Sequence, residues 1–166
     1  MEVSDFSDKY KVRRLVTSDT EEILKLSLSN PTFYKYCPPE ITRPVIRHDM
    51  TVVPPHKTKD DKYYIGFFDG DKLVAMLDLI TKYPDEITAW VGLFMVDSQY
   101  QGKGIGTAIF KEIMSALKKD GLKQVELAYA KGNQQSEHFW LKNGFFKTGN
   151  EAEEPGYTAI IMGRLL

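Results

Sequence analysis

Three apolar runs in the middle of the chain indicate neighbouring β-strands. They span residues 62–69, 72–81 and 87–96, and each is rich in aromatic and β-branched side chains. Asp69-Gly70-Asp71 separates the first two runs and is typical of a hairpin turn, because glycine adopts backbone conformations that are closed to other residues. The pattern therefore predicts an antiparallel meander of three strands.

Helical periodicity begins directly after the third run. Over residues 104–119 the apolar side chains recur at intervals of three and four, at Ile105, Ala108, Ile109, Ile113, Ala116 and Leu117. Gly121 ends this helix. A strand over 123–129 follows, and we expect it to lie parallel to the strand at 87–96 through a right-handed crossover. A short helix over 136–143 and another strand come next.

The two ends of the chain complete this arrangement. Residues 10–16 alternate weakly and predict a first strand, and the helix after it ends at Asn30-Pro31. Prolines divide residues 31–62, which predicts one or two short helices there. Residues 150–156 predict an acidic loop, and residues 157–166 predict the strand that closes the sheet.

Together these elements predict an α/β (α+β) fold. Its central mixed sheet, mostly antiparallel, has six to seven strands and is flanked by about four helices. Residues 1–166 show no repeat, low-complexity tract or linker, so we expect one domain.

Composition adds few constraints. The net charge is −1 and the charged residues are well mixed, so nothing points to a nucleic-acid partner. No apolar run approaches the roughly 18 residues that span a bilayer, so we expect no membrane partner, and the N-terminus does not resemble a signal peptide. Cys37 is the single cysteine, which fits a cytoplasmic protein. The three histidines share no spacing that suggests a metal site.

A glycine-rich segment joins the strand at 87–96 to the long helix. Three glycines lie within the five residues 102–106, and they open a helix whose first amides have no partners inside it. Such a helix end binds phosphate groups well, and Lys103 and the Gln101 amide would add to it. The segment lacks the P-loop pattern, and Thr107 stands where a dinucleotide-binding loop has its third glycine.

Two motifs in this part of the chain resemble those of the GNAT superfamily of N-acetyltransferases. Residues 101–106, Gln-Gly-Lys-Gly-Ile-Gly, fit its acetyl-CoA loop, Gln/Arg-x-x-Gly-x-Gly/Ala. A strand, Asn133, a short helix with Phe139, and Gly144-Phe145 then follow at the family's spacing. The resemblance covers about residues 90 to 146, and without the second motif the loop could equally be an ordinary strand-to-helix turn.

The resemblance implies a fold, a cofactor and a set of binding residues. It implies acetyl-CoA as cofactor and transfer of its acetyl group to a primary amine by direct attack. Asn133 would bond the pantetheine arm, with a turn residue after Gly132 as the alternative. The cofactor-binding residues implied by the resemblance are Phe94, Met95, Val96, Gln101, Gly102, Lys103, Gly104, Ile105, Gly106, Thr107, Asn133, Phe139 and Trp140.

The general acid departs from the family pattern. Trp140 stands where many relatives have a tyrosine that protonates the leaving thiolate, and an indole N–H cannot release a proton at useful pH. Tyr129, Tyr100 or solvent could replace it, since a thiolate is a tolerable leaving group.

The sequence does not identify the general base either. Trp90, Gly92 and Phe94 are expected to face one way, with no carboxylate among them. Asp78 and Glu126 on neighbouring strands are the candidates. Either could instead be a solvated residue on the outside of the sheet.

The acceptor substrate could be a small-molecule amine or a peptide amine, and the sequence does not distinguish them. Phe33, Tyr34, Tyr36 and Trp90 predict an aromatic substrate cleft, although they could equally be core residues. Trp140 favours an alternative function, a catalytically weak acyl-CoA-binding regulatory module, and nucleotide binding without acyl chemistry is a third possibility. A homodimer through the edge of the apolar final strand is also a hypothesis.

Overall fold

Seven strands form one sheet in the order β1-β2-β3-β4-β5-β7-β6 in the computed structural model, which describes all 166 residues. Only β4 and β5 pair in parallel. The mixed, mostly antiparallel sheet predicted from the sequence is confirmed. The strands are β1 Lys11–Arg14, β2 Lys62–Asp69, β3 Lys72–Thr81, β4 Thr88–Val96, β5 Gln124–Ala130, β6 Phe146–Glu154 and β7 Tyr157–Leu165.

Five α-helices accompany the sheet. They are α1 Thr20–Leu28, α2 Pro31–Tyr36, α3 Arg43–Asp49, α4 Ile105–Lys119 and α5 Gln134–Lys142. The proline-divided region forms the two short helices expected there, because Pro31 stands at the start of α2, where its missing N–H costs nothing. Thr42 caps α3 by accepting a hydrogen bond from the Val45 N–H.

Each face of the sheet packs against its own helices. α4 and α5 cover one face and form the larger core around Phe110, which is fully buried. α1, α2 and α3 cover the other face over β2, β3 and β4, where Ile23, Leu26 and Ile46 are buried. Removing a buried ring such as Phe110 costs about 3–5 kcal/mol in proteins, so these two cores hold the sheet in place.

The prediction of an acidic loop over 150–156 is wrong. Residues up to Glu154 belong to β6, and only Pro155-Gly156 form the turn into β7. The local composition misleads here because pairing with the apolar β7 outweighs the low strand preference of glutamate. The charges are suited to an exposed edge, since they discourage pairing with other chains.

The final strand is also not at the edge of the sheet. β7 lies between β5 and β6, so the edge expected to serve a homodimer does not exist. A chain that returns through a hairpin can insert its last strand internally, and nothing in the local pattern of β7 distinguishes the two placements.

β4 and β5 separate toward their carboxyl ends. They pair only from Thr88↔Gln124 to Val91↔Leu127, and beyond that point β4 pairs with β3 alone. β4 also carries a bulge at Gly92, where its register with β3 shifts between Asp78 and Leu79. The separation opens a gap in the middle of the sheet.

Candidate functional site

A cleft of about 840 Å³ occupies the gap between β4 and β5. It runs from the N-terminus of α4, past the open ends of the two strands, to α2 and the β6–β7 turn. Its walls are mostly apolar, and they include Trp90, Gly92, Leu93, Phe94, Val96, Gly102, Gly104, Thr107, Ala128, Asn133, Phe139, Trp140 and Ile161.

The glycine-rich loop presents unpaired backbone amides to one end of this cleft. None of the six N–H groups from residue 102 to residue 107 has a hydrogen-bond acceptor in the protein. Gly102 and Gly104 have φ angles of +75° and +78°, which other residues rarely adopt, and nothing lies within 4 Å of where their Cβ atoms would be. This geometry suits a pyrophosphate, whose charge would also meet the positive end of α4.

Gly106 serves a different purpose from the two glycines before it. A Cβ at this position would lie 3.3 Å from both Phe139 and Val96. The missing side chain therefore lets the first turn of α4 lie close to β4 and α5.

The side chain of Gln101 does not point toward a ligand. Its amide nitrogen donates to Asn30 Oδ1 at 2.6 Å and to the Val96 carbonyl at 2.8 Å, and the Asn30 amide donates to the same carbonyl at 3.0 Å. Gln101 thus anchors the loop to the end of β4 and to the α1–α2 junction, instead of contributing directly to phosphate binding. The sequence marked Asn30 only as a residue that ends a helix, and not as a partner of the loop.

The backbone of β4 is open to the cleft at alternate residues. The Asp97 N–H donates to the Val74 carbonyl on β3, and in an antiparallel pair alternate residues bond to the same neighbour. The backbone groups of Phe94 and Val96 therefore face the gap, while those of Met95 face β3. The side chain of Met95 is buried in the smaller core.

Asn133 and Trp140 stand beside the same stretch of β4. Asn133 Oδ1 accepts the Ser136 N–H and so caps α5, and its amide nitrogen has no acceptor in the protein. Trp140 is buried within a cluster of five rings, with centroid distances of 4.9 Å to Phe139 and 5.0 Å to Phe110. It forms part of the cleft wall as a packed core residue.

Tyr129 and Glu126 lie on opposite faces of β5, and only Tyr129 lines the cleft. Tyr129 lines the cleft, its hydroxyl lies near the Lys147–Glu137 ion pair, and burial raises its pKa. Glu126 alternates onto the opposite face of β5 and does not line the cleft. Burial and the nearby charge of Asp85 raise its pKa.

Asp78 is 16% exposed and is not itself among the residues that line the cleft. Its carboxylate pairs with Lys62, whose Nζ lies 2.7 and 2.8 Å from the two oxygens. Gly92 is exposed in the cleft, and a Cβ placed on it would lie 3.6 Å from the Asp78 carboxyl carbon. Asp78 therefore lies directly behind the opening that the glycine leaves.

The bulge at Gly92 corrects one expectation about β4. Trp90, Gly92 and Phe94 were expected to share a face, but the extra residue turns Phe94 to the opposite side. There its ring lies 5.3 Å from that of Phe110 on α4.

The far end of the cleft is only partly aromatic. Phe33 and Trp90 line it as expected, whereas Tyr34 packs into the smaller core and Tyr36 lies against Gly132. Sequence reasoning missed three further lining residues, Cys37, Glu154 and Tyr157, which no pattern marked because the β6–β7 turn was not recognised.

The loop after α2 and the β6–β7 turn meet across this end of the cleft. The Cys37 thiol lies near the Tyr157 hydroxyl, and Pro38 packs against Gly156. Burial raises the pKa of both the thiol and the hydroxyl. Glu154 is the one carboxylate among the lining residues, and it forms no ion pair.

Other classes of site are not in evidence. No group of three or more histidine, cysteine, aspartate or glutamate side chains is arranged to hold a metal ion. None of the helices has the length and apolar character that crossing a membrane requires.

Comparison with solved structures identifies the same fold in known proteins. An acetyltransferase from Thermus thermophilus superposes with a TM-score of 0.75 at 19% identity, covering 94% of this chain and 96% of that one. A PaiA N-acetyltransferase from Thermoplasma acidophilum, solved with coenzyme A, gives a TM-score of 0.70 at 17% identity, with coverages of 95% and 99%. The ribosomal-protein-S18-alanine N-acetyltransferase of Escherichia coli gives 0.65 at 16% identity, with coverages of 93% and 92%. At these identities the likeness concerns the fold.

Sequence comparison supplies the family. No curated protein sequence matches the chain significantly. The family model described as the acetyltransferase (GNAT) family matches residues 24–145, which include both the glycine-rich loop and the cleft walls from β4 and β5. The chain thus belongs to the acetyltransferase (GNAT) family, and its cofactor is acetyl-CoA.

Proposed function

We propose that the protein is an N-acetyltransferase that transfers the acetyl group of acetyl-CoA to a primary amine by direct attack, without a covalent enzyme intermediate. The row of six free amides at the mouth of the β4–β5 gap carries this proposal. It offers a pyrophosphate site that leads straight into an apolar groove with open strand backbone.

The residues present fit the pyrophosphate and the pantetheine arm of the cofactor. The amides from residue 102 to residue 107 would hold the pyrophosphate, and the backbone groups of Phe94 and the N–H of Val96 would hydrogen-bond the pantetheine arm. The unpaired amide nitrogen of Asn133 would bond the same arm. Bound acetyl-CoA supplies an acetyl group activated as a thioester.

Asp78 takes the proton of the acceptor in this proposal. An amine arrives from solution as an ammonium ion and must lose a proton before it can attack. The Asp78 carboxylate lies directly behind the bare backbone of Gly92, which lines the cleft at the bulge of β4. Glu154, at the far end and without an ion-pair partner, would attract the cationic acceptor. A small-molecule amine and a peptide amine both suit this end of the cleft.

Solvent protonates the leaving thiolate. Trp140 cannot release a proton, and burial raises the pKa of Tyr129, which makes its hydroxyl a weaker acid. We expect Tyr129→Phe to lower kcat less than about tenfold, well short of the effect of losing a general acid. The measurement is kcat by free-thiol release at saturating substrates, and a loss of more than about a hundredfold would instead assign the acid to Tyr129.

The direct test is release of free thiol from acetyl-CoA in the presence of single amines. The panel contains alkyl amines, diamines, amino sugars and short peptides with free N-termini, and mass spectrometry identifies the acetylated product. Acetylation of at least one amine supports the proposal. Tight acetyl-CoA binding without turnover of any amine would favour the regulatory module, which Trp140 in the acid position suggests.

A further inference from the structure

A buried pair of opposite charges lies behind the acceptor end of the cleft. Lys62, at the start of β2, is only 4% exposed, and its ammonium lies within hydrogen-bond distance of both oxygens of Asp78. Burying a lysine is costly unless a partner compensates for its lost hydration. The pair is held next to Gly92, where the cleft opens onto it.

The other groups that face Asp78 come from two elements. Asp49, the last residue of α3, brings a second negative charge that acts on both Asp78 and Lys62. Tyr64 on β2 also faces the pair, and it stays neutral because burial raises its pKa. β4 presents Gly92 and Leu93 on this side and adds no charge. Only Asp78 pairs directly with the ammonium of Lys62, and Asp49 adds a negative charge nearby.

We propose that Lys62 is a positioning residue of the acetyl transfer, which keeps the Asp78 carboxylate ionised and aimed at the opening over Gly92, and that the nearby charge of Asp49 opposes it. The inference rests on the proposed function, because it requires Asp78 to be the base. Lys62 should therefore weaken the binding of a proton to the Asp78 carboxylate, and Asp49 should strengthen it.

The test is the pH dependence of kcat/KM. Activity is lost as the pH falls through the pKa of the base, so the midpoint of the acidic limb reports that pKa. Lys62→Met removes the attracting charge and should move the midpoint up by about 1–3 pH units, the usual effect of a close opposite charge. Asp49→Asn removes a repelling charge and should move it down by a smaller amount. Damage to the fold would lower the rate without producing shifts of opposite sign.

Two lysine variants serve as controls. Lys62→Arg keeps the positive charge and should keep the midpoint within a few tenths of a pH unit. Lys57→Met removes a lysine from a different ion pair, that with Asp61, and should leave the profile unchanged. If Lys62→Met does not fold, the downward shift in Asp49→Asn still carries the test. Unchanged midpoints in the folded variants would overturn the proposal.

A second measurement separates this inference from the proposed function. The carboxyl carbon signal of Asp78, followed by NMR without any substrate, reports its protonation directly in each variant. If the Asp78 pKa shifts in opposite directions in the Lys62 and Asp49 variants but the protein acetylates no amine, the charge coupling is retained and the catalytic role is overturned. If the enzyme is active but the Asp78 pKa does not shift in these variants, the coupling is overturned and the acetyltransferase proposal stands.

Discussion

We expect acetyl-CoA to raise the unfolding midpoint of the wild-type protein and Gly104→Asp to abolish this rise. A ligand that binds only the folded state stabilises it by about 2.7 kcal/mol at a hundredfold excess over its dissociation constant. For a chain of this length that corresponds to a shift of roughly 5–10 °C. The aspartate would place a carboxylate among the free amides where the pyrophosphate binds, so both charge and space oppose the ligand. Differential scanning fluorimetry with and without acetyl-CoA measures the effect.

The substitution itself should leave the protein folded. Aspartate tolerates a positive φ better than most residues, nothing lies within 4 Å of the new Cβ, and a negative charge suits a helix N-terminus. Gly121→Asp is the matched control, because Gly121 has a φ of +94°, is equally open, and lies at the other end of α4, roughly 25 Å away. It should keep the full ligand shift. Equal shifts in Gly104→Asp and the wild type would exclude the loop as the cofactor site.

Asp78→Asn should lower kcat by about 10²–10⁴-fold, the usual contribution of a general base, and leave binding of acetyl-CoA unchanged. The amide keeps the shape of the side chain but cannot accept the proton. Glu126→Gln, at the other carboxylate proposed from the sequence, is the matched control and should change kcat by less than about twofold, since Glu126 lies outside the cleft. Steady-state kinetics by thiol release distinguishes the two carboxylates, and equal losses would count against Asp78.

The effect of Asp78→Asn on stability must be separated from its effect on catalysis. Asp78→Asn leaves Lys62 buried without its anion, which destabilises proteins by about 3–5 kcal/mol. The double variant with Lys62→Met removes both charges and should recover most of that stability without recovering activity. Recovery of both would mean that Asp78 acts only through the fold.

The pH dependence of activity tests the role of Asp78 independently of the rate lost in Asp78→Asn. Burial raises the pKa of Asp78 above its ordinary value of 3.8, although the ammonium of Lys62 acts in the opposite direction. The base must be ionised, so activity falls as the pH drops through this raised pKa, and Asp78→Asn should abolish that limb.

Much of the fold could be predicted because its signals are local. The three central strands, the hairpin at Gly70 and the long helix each follow from periodicity and turn chemistry over a few residues. Family recognition is possible for the same reason, since the glycine-rich loop and the second motif, from Asn133 to Phe145, are both local patterns. Prediction failed for β6, where pairing with β7 overrides a polar sequence.

The sequence by itself determined the cofactor loop, because the free amides and positive φ angles of Gly102 and Gly104 depend on the adjacent residues alone. Only the tertiary structure decided how Asp78 is used. One bulge at Gly92 turns Phe94 to the other face and opens the cleft toward Asp78, and Lys62 meets that carboxylate from a strand 16 positions earlier in the chain. Such a pairing depends on strand register and burial, which involve distant segments at once, and no local pattern specifies them.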